Sequence, residues 1–166
     1  MMPLPTAVRL SHLRPGSRIL GMSLVAIVIM AGSCGKKAPS PGLLQVASVP
    51  GGIQSPSVTR DGKSIAFQAD LQGRSSLWVS SLEGGPPRQM LPGDARHPSW
   101  SPDGSRVAFE SPRSGNRDIW VVSASGGSLR QVTKDPAADW DPRWSPDGRW
   151  ISFMSNRRDS VAIWAS

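Results

Sequence analysis

From about residue 64 onward, apolar and polar side chains alternate in short runs, each closed off by glycine, proline or aspartate. In "RVAFES" (106–111) and "WISFMS" (150–155), Val107 and Phe109, or Ile151 and Phe153, fall on one face. A period of two belongs to a half-buried strand, whereas a helix spaces its apolar residues three and four apart. "SLWVSS" (76–81) and "DIWVVS" (118–123) are further strands of this kind. A glycine pair, Gly84 and Gly85 or Gly126 and Gly127, then turns the chain into "PRQML" (87–91) or "LRQVT" (129–133). The fold predicted is all-β. Ahead of each second strand stands a turn. Pro102 and Pro146 preset φ at its first position, Asp103 and Asp147 follow, and Gly104 and Gly148 supply the left-handed conformation that completes a hairpin with a bulge.

The elements recur as a unit. "DPRWSPDGRW" (141–150) repeats "HPSWSPDGSR" (97–106) and, more weakly, "SPSVTRDGKS" (55–64). Pro56, Pro98 and Pro142 are spaced 42 and 44 apart, as are Phe67, Phe109 and Phe153, and Trp78, Trp120 and Trp164. The two additional residues of the longer period fall in a connection between Thr133 and Pro142. A period in the low forties, built from short strands, is that of a β-propeller blade, a four-stranded antiparallel meander. Three blades are predicted, over about 53–95, 96–139 and 140–166. "LLQVAS" (43–48) reads as a fourth strand without a blade, since Gln45 and Val46 precede Pro56 by the same 11 and 10 residues as Gln131 and Val132 precede Pro142. The third blade ends at "IWAS" and lacks its fourth strand, so 43–48 is a closing strand for such a blade. Because propellers have about four to eight blades, the expectation is an incomplete propeller, or two copies joined head to tail as a homodimer forming a six-bladed ring.

Charge changes the picture only at the front. The chain carries a net charge of +7, but five of its 19 basic residues (Arg9, Arg14, Arg18, Lys36 and Lys37) precede the repeats, leaving 14 basic against 12 acidic residues in the blades. No block of like charge remains there, which excludes the phosphate footprint of a nucleic-acid binder. The basic residues flank an uncharged apolar run at 19–32, short for a membrane span but suited to a signal peptide. It ends in "AGSC", with Cys34 the only cysteine of the chain. The segment 1–33 resembles a bacterial lipoprotein signal, with Ala31 standing where leucine is usual. That resemblance implies lipidation of Cys34, a flexible tether through residue 42, and, from Gly35, the periplasmic face of the outer membrane. Ala31 and Ser33 also suit ordinary signal cleavage, which would leave a soluble periplasmic or secreted protein. The membrane is otherwise approached through the lipid anchor alone.

"PSWSPDGSRVAFES", "DIWVVSASGG" and "LRQVT" resemble the WD-like blades of TolB-type β-propellers, found in periplasmic proteins and in the non-catalytic propellers of prolyl-oligopeptidase-like peptidases. The resemblance covers residues 43–166 and is weakest in the first copy, where Val58 replaces the tryptophan and Thr59 and Arg60 replace Ser-Pro. It implies a non-catalytic cell-envelope scaffold that binds a protein or peptide partner. Two alternatives stay open: the propeller portion of a peptidase without its catalytic domain, and a carbohydrate-binding propeller.

The residues after the signal offer little for bond-breaking chemistry. They hold one histidine, His97, and no Gly-x-Ser-x-Gly elbow. Asp135, Asp139 and Asp141 lie close in sequence without the spacing of a calcium loop. No cofactor or metal is expected. Residues that depart from the repeat say more. Trp140 stands where the earlier copies have Arg96 and Gln54, and Trp150 where they have Arg106 and Ser64, so the blade itself requires neither. The inter-blade connections should gather Arg96, His97, Asp139, Trp140 and Asp141 into a mixed polar and aromatic partner-binding patch, with Trp150 as a further contact. The loop carrying Arg157 and Arg158 is expected on the opposite face.

Overall fold

The computed structural model describes residues 44–166; the signal segment, Cys34 and the tether lie outside the described residues. Eleven strands follow one another: β1 (Gly52–Val58), β2 (Ser64–Leu71), β3 (Arg74–Ser81), β4 (Arg88–Leu91), β5 (Arg96–Trp100), β6 (Arg106–Ser111), β7 (Asp118–Ser123), β8 (Leu129–Gln131), β9 (Asp139–Trp144), β10 (Ile151–Ser155) and β11 (Ala162–Ala165). They form three antiparallel sheets in simple meander order, β1-β2-β3-β4, β5-β6-β7-β8 and β9-β10-β11. These are the three blades expected, the third with three strands.

One turn chemistry closes all three first hairpins. A hydroxyl side chain accepts from the backbone N–H five residues on: Ser64 N to Thr59 at 3.0 Å, Arg106 N to Ser101 at 2.9 Å and Trp150 N to Ser145 at 2.9 Å. The same hydroxyls donate to Asp61, Asp103 and Asp147, at 2.6, 2.5 and 2.5 Å. Each aspartate also accepts a backbone N–H two residues on. Gly62, Gly104 and Gly148 follow at φ +69, +68 and +70, where a β-carbon is penalised. Thr59 therefore preserves the turn in the divergent first copy, because its function is the hydroxyl.

The first strands begin at Gly52, Arg96 and Asp139, ahead of Pro56, Pro98 and Pro142. Ser55, His97 and Asp141 have φ of 50, 49 and 55, and the ladder shifts register around each of these positions. These are β-bulges. Proline has no N–H for the ladder, and a bulge is where a strand accommodates it. Histidine and aspartate are also among the side chains found most often at positive φ.

Two apolar clusters join the blades. Leu77 and Met90 of the first blade pack with Trp100, Val107, Phe109 and Val122 of the second. Ile119 and Val121 of the second pack with Ile151 and Phe153 of the third. The repeated phenylalanines are buried, Phe67, Phe109 and Phe153 being at most 3% exposed, while Trp120, Trp144 and Trp164 are partly buried against the two clusters. Polar bonds cross the same boundaries: Trp100 N donates to Ser57 Oγ at 3.2 Å, and Trp144 N to Ser99 Oγ at 3.1 Å. Residues 44–49 form no strand in this single chain. Instead the Val46 carbonyl accepts from Ser80 at 3.1 Å. Ser80 is the first-blade counterpart of Val122, so the segment lies over the face that in the second blade is covered by Met90 and its neighbours.

Candidate functional site

Bulges at equivalent points of β5 and β9 bring His97 and Asp141 together at the boundary between the second and third blades. Beneath them lies Glu110 of β6, 2% exposed. Its Oε2 atom is 3.1 Å from His97 Nδ1 and accepts the Asp141 N–H at 3.0 Å. One carboxylate oxygen therefore contacts the inner strands of both blades. The Asp141 side chain turns outward to Arg143, 2.8 Å away. Arg96, at the start of β5, lies 4.0 Å from Asp94, both half-exposed. Trp140 follows Asp139 on β9, with the Arg117 guanidinium 5.0 Å from its ring centroid, a cation–π contact.

The electrostatics follow from this geometry. The Glu110 carboxylate, 3.1 Å from His97 Nδ1, raises the His97 pKa above its ordinary value, outweighing the opposing effect of partial burial. Burial pushes the Glu110 carboxyl up, but the close His97 ring and the hydrogen bond from the Asp141 amide outweigh it, and Glu110 lies below its ordinary value. The pair is thus favoured as imidazolium and carboxylate.

The structure divides the predicted patch. His97 and Asp141 are brought together over Glu110, whereas Trp140, next to Asp141 on β9, contacts Arg117, and Arg96, next to His97 on β5, turns to Asp94 and Asp70. Asp139 is not available to a partner: it is 0% exposed, and Arg157 Nη2 donates to both its oxygens at 2.9 Å. Arg157 is held in turn by Ser155 Oγ, 2.9 Å from its Nε. The expectation that Arg157 and Arg158 occupy the opposite face is also corrected. In a meander the β10–β11 connection emerges at the end where β9 begins, and Ser155 pairs directly with Asp139.

Trp150 belongs to the other end of the same hairpin, next to Ile151, which pairs with Trp144. It is 52% exposed and shares no surface with Trp140. It stands beside the turn residues Pro146, Asp147 and Gly148, whose counterparts are Pro102, Asp103 and Gly104. On that face a shallow cleft of about 360 Å³ runs across all three blades, lined by Val58, Arg60, Trp100, Pro102, Trp144 and Pro146.

Two site residues escaped the sequence reading. Glu110 stands where the other blades have Gln68 and Met154, the same kind of departure that singles out Trp140. Arg143 stands where Ser57 and Ser99 hold the next blade's backbone. The three neighbouring aspartates do not converge: Asp135 caps the Ala137 N–H at 2.9 Å, Asp139 holds Arg157 and Asp141 holds Arg143. Among the described residues no group of three or more His, Cys, Asp or Glu side chains could hold a metal ion.

Blade topology, turn chemistry and repeat spacing coincide with one family, the TolB beta propeller domain, whose model matches residues 43–166. The chain belongs to the TolB β-propeller family. Among solved structures, a putative TolB from Agrobacterium tumefaciens is 28% identical, with a TM-score of 0.65 over 77% of this chain and 48% of its own. TolB from Acinetobacter baumannii is 29% identical, with a TM-score of 0.63 over 69% of this chain and 29% of its own. The TolB-like chain therefore spans less than half of either relative. The β-propeller domain of the Trilobed protease from Pyrococcus furiosus, 17% identical with a TM-score of 0.52 over 68% of this chain and 38% of its own, shares the fold. No curated protein matches the chain significantly.

Proposed function

We propose that this TolB-like propeller is an exported, non-catalytic scaffold that holds an envelope protein or peptide at the inner-strand patch formed by Arg96, His97, Trp140, Asp141 and Arg143. The reading rests on the departures from the repeat at the boundary of the second and third blades. Trp140, Glu110 and Arg143 replace residues that suffice elsewhere in the array, and they cluster within one small region. Exposed charges of both signs beside an indole suit a polypeptide, which offers carbonyls, amides and side-chain charges to such a surface. Lipidation at Cys34 would hold the scaffold at the periplasmic face of the outer membrane.

The peptidase and lyase propellers among the similar structures are at most 21% identical to this chain and share the fold alone. Trp140 and Trp150 lie at opposite ends of one hairpin and so offer a sugar no common stacking surface, which does not favour the carbohydrate reading.

A photo-crosslinking residue placed at position 140 and, separately, at position 150 tests the proposal in cells. A discrete protein adduct at 140 that is lost on Arg143→Ala is the expected result. Adducts at 150 alone would move the site to the hairpin face.

A further inference from the structure

The carboxylate of Glu110 is the feature of this boundary that packing does not explain. At the corresponding point of the first blade stands Gln68, whose Nε2 turns to Asp70 and Ser75 at 3.2 and 3.3 Å, and whose buried Oε1 has no partner. In the third blade the position is Met154. A neutral residue thus serves both neighbours, and the charge is confined to the boundary where the binding patch lies.

A buried carboxylate is costly unless a counter-charge and hydrogen bonds accompany it. Glu110 obtains its counter-charge from His97, a side chain that changes charge near neutral pH. The other charged groups facing this pair are Asp141 and Arg143 of β9 and Arg117 of the β6–β7 connection. Arg96, beside His97 on β5, faces Asp70 of β2 and Asp94. Asp141 and Arg143 neutralise one another at 2.8 Å, and His97 contacts Glu110 directly.

We propose that His97 and Glu110 form a protonation-operated clasp between the second and third blades, fastened when the imidazole is charged and slackened when it is neutral. Loss of the proton leaves the buried carboxylate with the Asp141 amide as its hydrogen-bond partner and Arg117 as its remaining counter-charge. The strand held through the Asp141 N–H, with its left-handed bulge, is then less firmly fixed to the second blade. Trp140 and Arg143 flank that bulge, so the clasp sets how rigidly the patch is presented. Its consequence for binding rests on the function proposed above, but the clasp itself does not.

The direction with pH follows from the two titrations. His97 has a raised folded pKa, so its contribution is complete below the unfolded value, ordinarily 6.5, and is lost as pH rises through the folded value. Glu110 has a lowered folded pKa, so its contribution is complete above the ordinary 4.5 and is lost as pH falls through the folded value. The clasp is therefore tightest between these two ordinary values and slackens toward alkaline pH.

Proton NMR titration of the His97 ring in the full chain, assigned by its loss in His97→Gln, tests the clasp without any partner. The wild type should titrate above 6.5, and Glu110→Gln should lower the midpoint by about half a unit or more. A wild-type midpoint at or below the ordinary value, or one unchanged in a folded Glu110→Gln protein, overturns the proposal. Should Glu110→Gln fail to fold, the melting temperatures of wild type and His97→Gln between pH 6 and 8 decide instead. An advantage of the wild type that shrinks with rising pH supports the clasp, and a constant difference overturns it. A titrating clasp with no adduct at position 140 would remove the binding reading and leave the clasp standing.

Discussion

Arg157 closes a ring on Asp139: one guanidinium nitrogen lies 2.9 Å from each carboxylate oxygen, while its Nε donates to Ser155 on the neighbouring strand. The same guanidinium lies over the rings of Phe153 and Trp164, 5.4 and 4.8 Å from their centroids. Arg113 repeats part of this one blade earlier, with Nε on Ser111 at 2.9 Å and its charge over Phe109 and Trp120. The ion pair itself is present in the third blade and not in the second, where Ala95 takes the place of Asp139.

Arg157→Ala should be among the most damaging substitutions in the third blade. It strands a fully buried carboxylate, and breaking one side of a buried pair typically costs about 3–5 kcal/mol. Asp139→Ala should cost less, because the Arg157 side chain is 21% exposed and can still reach water. Urea denaturation of both variants checks the order, and a smaller loss for Arg157→Ala would refute it.

Gly148→Val should destabilise the third blade by about 1–2 kcal/mol or more, since a β-branched residue is strained at positive φ. Gly148 holds φ at +70. Lys63, beside the corresponding first-blade turn, is exposed, and Lys63→Ala should be near neutral. Equal melting temperatures for both variants and wild type would show that the turn does not constrain the hairpin.

The turn aspartates carry a pH signature. The Ser101 hydroxyl, with the Ser105 amide and hydroxyl, lowers the Asp103 pKa to about 2. A lowered carboxyl pKa stabilises the fold above the ordinary 3.8, and that contribution is lost as pH falls through about 2. Carboxyl NMR should find Asp103 titrating near that value in the wild type and moving toward the ordinary range in Ser101→Ala. An unshifted titration in the variant would deny the hydroxyl its role.

Lipidation at Cys34 is the outcome expected from the small residues that precede it after the apolar run. Metabolic labelling with a fatty acid should mark the wild type and leave Cys34→Ala unmarked and released from the membrane fraction. Equal labelling of the two would exclude the modification.

The blades were legible in the sequence because their determinants are local. Period-two alternation, Asp-Gly turns and glycine pairs each act within a few residues, and three copies in register place them on one template. The bulges at Ser55, His97 and Asp141 had a local signal too, the proline that follows each of them. What the patch contains was decided by contacts between residues far apart in the chain. Asp139 meets Arg157 at a separation of 18 residues, and the Asp141 amide meets Glu110 at a separation of 31. A single sequence carries no periodic trace of such pairings, because each occurs once, the first within the third blade and the second at its boundary with the second blade, and breaks the repeat that makes the rest readable. The sequence alone therefore determined the strands, their order and the turn residues. Which aspartate is buried, which end of the hairpin each tryptophan occupies, and where a carboxylate sits without water followed only once the meander set the chain direction and the inner strands packed side by side.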